Sequence, residues 1–373
     1  MFYTYRIDKK MKKVIISAVI ATIAFAACEK SETLKTVDKD FVKNYETFWT
    51  LINENYCFLG EKYNNDKNVD WQAVYDKWMP IVKNEVTDEY ELFNIMGKSL
   101  DLLRDGHVAL YSPFKKYGNR EFYLMPDGET YYEEAFVKGL VQDNYLKSST
   151  GKDDYKGDKS FKTLNGIIYG TIERDGKKFA YIYYDDFSVK IIDADYACID
   201  PVVNNADAII LDIRENPGGA GALGLELAGN FMKEETFVGY STHKNGKGYD
   251  DFDEPSEMYC QPSDKHKWAD KQTALLTNRG VYSTGNLFAS IMRYAPNVIL
   301  VGQRTGGGGG LPMTHYLPNG WTLFFPSNIL LDVDKNHIEP GIYPDYEASI
   351  GDYKTTKKDG ILEKAIEELL KKL

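Results

Sequence analysis

Apolar positions recur along this chain with two periods. Leu92, Ile95, Met96, Leu100 and Leu103 fall three and four residues apart, so they share one helix face, and residues 38–110 read as helical on this pattern. Asp88, with Glu91 three residues on, is placed to cap that helix. Asp105-Gly106 is placed to end it, because glycine is the expected stop. Beyond residue 178 the period changes. Phe179 to Tyr184, Thr236 to Thr242, Thr273 to Leu276 and Val298 to Gly302 read as strands, and Ala206 to Ile213 reads as a buried one. Helices carrying Leu223, Leu227 and Phe231, then Leu287, Phe288, Ile291 and Met292, lie between them, and a short amphipathic helix covers 361–373. Strand and helix in alternation predict an α/β layer structure.

Between these blocks the pattern fails. Residues 113–175 are tyrosine-rich and read as a mixed linker or degenerate insert, with an exposed loop at 148–160. Residues 244–270 are polar, and their acids Asp250, Asp251, Asp253 and Glu254 fit no calcium-loop spacing, so a solvated loop is expected. The predicted organisation is a leader over 1–27, a helical region over 28–112, the mixed segment over 113–175, an α/β catalytic domain over 176–348 and a C-terminal helix over 349–373.

The leader changes the cellular picture. Residues 14–27 are apolar and uncharged, follow Lys12 and Lys13, and are too short to span a bilayer. The pattern is that of a secretory signal, and it reads better from Met11 than from Met1. Phe25-Ala26-Ala27-Cys28 resembles a bacterial lipobox, in which Cys28 would take up lipid, although leucine is commoner than phenylalanine at its first position. An exported bacterial lipoprotein facing periplasm or cell surface is expected; an ordinary secretory signal is the alternative. Cys57, Cys198 and Cys260 are scattered, with no C-x-x-C pair, so buried free thiols are expected in preference to a disulfide or a metal site. Residues 1–27 carry five basic residues and one acidic, leaving 40 basic against 55 acidic and a net charge of −15. Such a chain is a poor partner for nucleic acid or anionic lipid.

Four segments could carry chemistry. Asp212-Ile213-Arg214-Glu215-Asn216-Pro217-Gly218-Gly219 leaves a buried strand, and its glycines expose amides that could hold an oxyanion. Gly219 to Gly224 also matches the dinucleotide fingerprint, but the ribose-binding acid that fingerprint needs is absent at Thr242-His243-Lys244. Ser283 sits where a helix begins, with the Thr284 amide beside it; such a serine could attack a carbonyl, or could be an ordinary N-cap. His107 follows Asp105-Gly106, and histidine is the usual base for serine, though a lone histidine after a helix is often structural. Glu339-Pro340-Gly341-Ile342-Tyr343-Pro344-Asp345 is a rigid turn carrying acids.

In this order the four segments, with Val301 to Gly307, resemble the tail-specific or C-terminal processing serine peptidase superfamily over about residues 40–348. The resemblance implies a crotonase or Clp-protease type of fold and a peptide or protein substrate, with no metal or cofactor. One branch uses a serine–lysine dyad, with the lysine in a G-K-G-like loop. Here that loop is Gly306 to Gly310, all glycine, and no lysine lies between Lys271 and Lys335. The tricorn-like branch uses serine, histidine and glutamate. Its D-G-H-like and G-x-x-P-D-like motifs match Asp105-Gly106-His107 and Gly341 to Asp345, which implies Ser283 as nucleophile, His107 as base and Glu339 as third member. Gly219, Gly218 and Thr284 would supply the oxyanion amides, with the five-glycine loop nearby as flexible backbone. Two departures stand out: no convincing PDZ domain is found in 113–175, and Asn286 occupies a place where several relatives carry glutamate. The superfamily also contains interphotoreceptor retinoid-binding proteins, so a non-catalytic binder of a lipophilic or peptide ligand is the alternative function.

Overall fold

The computed structural model describes residues 37–64, 69–112, 119–121, 138–146 and 162–373. The leader, Cys28 and the loop at 148–160 lie outside them.

Four helices come first: α1 (Phe41–Asn55), α2 (Leu59–Asn64), α3 (Trp71–Asn84) and α4 (Glu89–Leu100). Their N-caps follow sequence logic. The Asp40 carboxylate accepts from the Lys43 amide at 3.0 Å, and Asp88 accepts from the Tyr90 and Glu91 amides at 2.9 Å each. The α4 helix ends at Leu100, five residues before the expected stop, where the Asp101 amide bonds back to Gly97 and Ser99. Arg104 then takes a left-handed φ of 47°, which turns the chain towards the buried Asp105. Next come β1 (Ala109–Tyr111), β2 (Asn119–Glu121) and α5 (Lys138–Asn144); among the described residues between Ser112 and Thr163, β2 and α5 are the regular elements.

The remaining elements are β3 (Ile168–Arg174), β4 (Lys177–Tyr183), α6 (Asp193–Asn204), β5 (Ala208–Asp212), α7 (Gly221–Gly229), β6 (Thr236–His243), β7 (Ser256–Cys260), β8 (Gln272–Thr277), α8 (Thr284–Met292), β9 (Val298–Gly302), β10 (Gly310–Tyr316), β11 (Thr322–Leu331), β12 (Tyr346–Glu347), α9 (Tyr353–Thr356) and α10 (Gly360–Leu370). One sheet runs β12-β9-β8-β5-β4-β3, parallel except for the β3–β4 hairpin. A boundary at residue 176 therefore cuts this hairpin, and β3 belongs with the catalytic layer. The second sheet is antiparallel, in the order β2-β1-β11-β6-β7, with β10 also on β11.

Both faces of the parallel sheet are covered, which is why its strands read as continuous apolar runs. Ile209, Leu211, Leu275 and Leu300 face a core shared with Phe231, Phe288 and Ile291. Ala208, Ile210, Leu276 and Val301 face the opposite way, onto Ile361, Leu362, Ile366 and Leu369. The antiparallel sheet is backed by the N-terminal helices, with Tyr45, Phe48, Ile52, Leu92 and Met96 packed against Trp321, Leu323 and Phe325. The helical region thus shares its core with residues more than 200 positions later. Truncating the wholly buried Trp321 to alanine would cost about 3–5 kcal/mol.

Sequence patterning assigns no strand to 310–331, yet β11 is the spine of the second sheet. Pro326 disguises it, since proline is expected only at sheet edges. The stretch 244–270 likewise contains β7. The described cysteines Cys57, Cys198 and Cys260 are free, the first and third buried. No helix among the described residues is long and apolar enough to cross a membrane.

Candidate active site

Three loops leave the carboxyl ends of the adjacent parallel strands β5, β8 and β9, the edge where α/β sheets place their ligands. The first carries Gly218 and Gly219, the second Ser283, the third Gly306 to Gly310. They are stitched together by main-chain bonds: Tyr282 N–H to Asn216 O at 3.0 Å, Ser283 N–H to Gly307 O at 2.9 Å and Gly306 N–H to Val281 O at 2.7 Å.

Ser283 has φ 53° and ψ −120°, a conformation that non-glycine residues rarely adopt. Its side chain makes no capping hydrogen bond to α8. The N-cap reading therefore loses its geometric basis, and the hydroxyl is left available. Gly218 shows why the neighbouring turn must be glycine. A β-carbon there would lie 2.7 Å from Ser283 Cβ and 2.8 Å from the Thr284 nitrogen, and its φ is 106°. Gly219 is pressed as closely onto the Phe187 main chain.

The amides divide into two kinds. Gly218 N–H donates to Asn216 Oδ1 at 2.9 Å and is spent inside the loop. The Gly218 carbonyl accepts from Phe187 N–H, and Ala220 N–H donates to Phe187 O. Gly219 and Thr284 are thus the neighbouring amides left for an incoming oxygen. Thr284 Oγ1 donates to the Gly219 carbonyl at 2.6 Å and fixes one to the other.

His107 arrives from the N-terminal region, just before β1, and is buried. Its ring packs 4.8 Å from that of Tyr282, the residue preceding Ser283. Burial pulls its pKa below the usual 6.5, while the Asp105 carboxylate opposes that shift. Glu339 arrives after β11 and is also buried. Its Oε2 accepts from the Gly309 amide at 2.6 Å. Burial, and then Asp105, push its pKa well above the ordinary 4.5; Lys62 and the Gly309 amide act the other way. His107 Nδ1 and Glu339 Oε1 are both buried without a hydrogen-bond partner, and the buried Tyr282 hydroxyl lies against the Asp105 side chain and the Gly106 main chain. A cluster of orphaned buried polar atoms is costly, and active sites are where such clusters persist.

The five-glycine loop is not slack. All five residues are buried. A β-carbon at Gly308 would meet the Tyr282 ring at 2.7 Å, one at Gly309 the Glu339 nitrogen at 2.5 Å, and one at Gly310 Pro326 Cβ at 2.5 Å. The loop is glycine because backbone packs directly on the site. Asn286 is a strut: its Nδ2 donates to Ile338 O at 2.9 Å, and its Oδ1 accepts from Thr305 Oγ1 at 2.5 Å. It ties α8 to the segment that carries Glu339. Arg214, wholly buried, pairs with Asp212 and Asp359 and holds the root of the glycine turn. Among the described residues no cluster of His, Cys, Asp or Glu is set to hold a metal.

Sequence patterning missed Tyr56, Tyr282 and Gly309. Asp105 stood in a motif without a role. Only the fold brings Tyr56 to Asp105, where its hydroxyl donates to Oδ2 at 2.7 Å.

Ser283, His107 and Glu339 come from three separate segments, and no side-chain hydrogen bond links any two of them in this structure, whereas a serine-hydrolase triad is joined by such bonds. Comparison with known proteins narrows the class. Residues 178–348 match the model of Peptidase family S41, and residues 38–101 that of the Tricorn protease C1 domain. A crystal structure of a candidate peptidase from Parabacteroides merdae is 33% identical and superposes with a TM-score of 0.74, over 89% of this chain and 98% of that one. The carboxy-terminal processing protease CtpA of Bacillus subtilis is 23% identical, over 91% of this chain and 77% of its own length. The carboxyl-terminal-processing protease of a Picosynechococcus strain is 27% identical over 42% of this chain, a match that spans only 36% of that protein. The chain belongs to peptidase family S41, the serine peptidases to which the sequence motifs pointed.

Proposed function

We propose that the protein hydrolyses peptide bonds in peptide or protein substrates through an acyl-enzyme on Ser283. The observation that carries this reading is the Ser283 backbone, held at positive φ against Gly218 with its hydroxyl uncommitted to the helix. In this reading the Ser283 Oγ proton passes to His107 as Oγ attacks the scissile carbonyl. The new oxyanion is met by the Gly219 and Thr284 amides. The C–N bond then breaks, and the amine leaves with the proton from His107. Water, deprotonated by the same histidine, releases the acyl group. Glu339 is the partner for His107 Nδ1 once both close on each other. Digestion of a mixed peptide library, read by mass spectrometry, tests this: cleavage by the wild type and none by Ser283→Ala is expected. Equal cleavage by the two would remove Ser283 from the mechanism.

We further propose that the protein is exported and anchored through lipid on Cys28, the reading supported by the basic, apolar and small-residue order of residues 12–28. Palmitate labelling in the host cell should disappear in Cys28→Ala. Persistent labelling would rule out this anchor.

A further inference from the structure

Asp105 lies two residues before His107 and is wholly buried. Its Oδ1 accepts from the His107 main-chain amide and its Oδ2 from the Tyr56 hydroxyl, each at 2.7 Å. Tyr56 terminates α1 and is itself fully buried, with its ring edge-on to Phe58 and Phe325. The donor therefore comes from the N-terminal helices, braced from both sides.

Two carboxyl groups share this dry pocket, and like charges in one buried site cannot both ionise without a large cost. The donors around them decide which does. Asp105 accepts one bond on each oxygen and has the Tyr282 hydroxyl against it as well; Glu339 accepts one, from Gly309, and its Oε1 has none. Hydrogen bonds to a carboxylate favour its charged form, and Asp105 accepts more of them than Glu339 does. The other titratable groups facing the pair are Cys57, Glu61, Lys62, His107 and Tyr282. Of these, Lys62 is the cation that acts on Glu339.

We propose that Asp105, fixed by the Tyr56 hydroxyl, is a positioning residue of this site, and that its carboxylate, rather than Glu339 alone, carries the negative charge against which the His107 imidazolium forms. This rests on the reading of Ser283 as nucleophile and His107 as base. The proton that leaves Ser283 then generates a cation beside an anion already in place. No reorganisation is needed at the moment of attack.

The test follows two quantities in the full soluble chain: the His107 imidazole titration by NMR, assigned with His107→Gln, and the pH dependence of Ser283 labelling by a fluorophosphonate. Asp105→Asn should lower the His107 midpoint, move the acidic limb of labelling down with it, and cut the plateau rate about tenfold or more. Tyr56→Phe, which deletes one buried oxygen, should shift both in the same direction by less, and it decides the matter if Asp105→Asn does not fold. A fall in rate with both midpoints unmoved would make Asp105 a purely structural residue and overturn the proposal. A wild type that never labels, with the titration shift intact, would instead overturn Ser283 as nucleophile and leave the Asp105–His107 coupling standing.

Discussion

The Thr284 hydroxyl donates to the Gly219 carbonyl across 2.6 Å, joining the first residue of α8 to the glycine turn after β5. The two residues whose amides are proposed to meet the oxyanion are therefore held by one side-chain bond. Thr284→Val keeps the shape and loses the bond. The expected result is a kcat lower by about tenfold, roughly 1.4 kcal/mol in the barrier, with KM little changed. Steady-state kinetics on a peptide found in the library digestion measures it; an unchanged kcat would mean that the glycine turn needs no such tether.

Gly218 and Gly221 are three residues apart and make opposite demands. A β-carbon at Gly218 would strike Ser283 Cβ and the Thr284 nitrogen, whereas at Gly221 it would meet nothing within 4 Å. Gly218→Ala should cost about 1–3 kcal/mol of stability and abolish most labelling of Ser283. Gly221→Ala should be indistinguishable from wild type in melting temperature and labelling rate. A silent Gly218→Ala would show that the turn has slack the structure does not display.

Glu339 should make the fold less stable as pH rises. Its carboxyl is held well above the ordinary 4.5 by burial and by Asp105, so the native state binds its proton more tightly than the unfolded chain does. The sign is then the reverse of the usual carboxylate. The cost is absent below about pH 4.5, and it grows as pH climbs from there towards the raised folded-state value. Glu339→Gln removes it. Thermal melts should coincide for the two proteins near pH 4, and the variant should melt several degrees higher at pH 8, while its peptidase activity falls. A variant that melts lower at pH 8 would mean that Glu339 is ionised and paired in the fold.

Much of this molecule was legible in one dimension. Apolar runs flanked by polar residues marked β5, β8 and β9, because a parallel strand covered on both faces has no polar side to show. The D-G-H, glycine-turn, serine-turn and G-x-x-P-D segments were visible because each depends on local chemistry: a glycine where backbone must approach, a serine at a helix start, a histidine just past a helix stop. Their order along the chain was enough to suggest the family, and the absence of a lysine in Gly306 to Gly310 was enough to set aside the dyad.

What the sequence by itself could not settle was every relation between distant segments. Pro326 hid β11, since nothing local says that a proline can sit in the strand on which β1, β6 and β10 all pair. Ser283 read locally as an ordinary helix cap; its backbone angle and missing cap bond, which remove that reading, arise where the loops after β5, β8 and β9 are tied together. Tyr56 carried no signal at all. Its part is created when α1 packs against a sheet whose spine lies more than 260 residues later, which brings one hydroxyl to one carboxylate. Periodicity records which face of an element is buried; only tertiary packing decides which polar atoms meet there, because the cost of burying them falls on pairs and not on single residues.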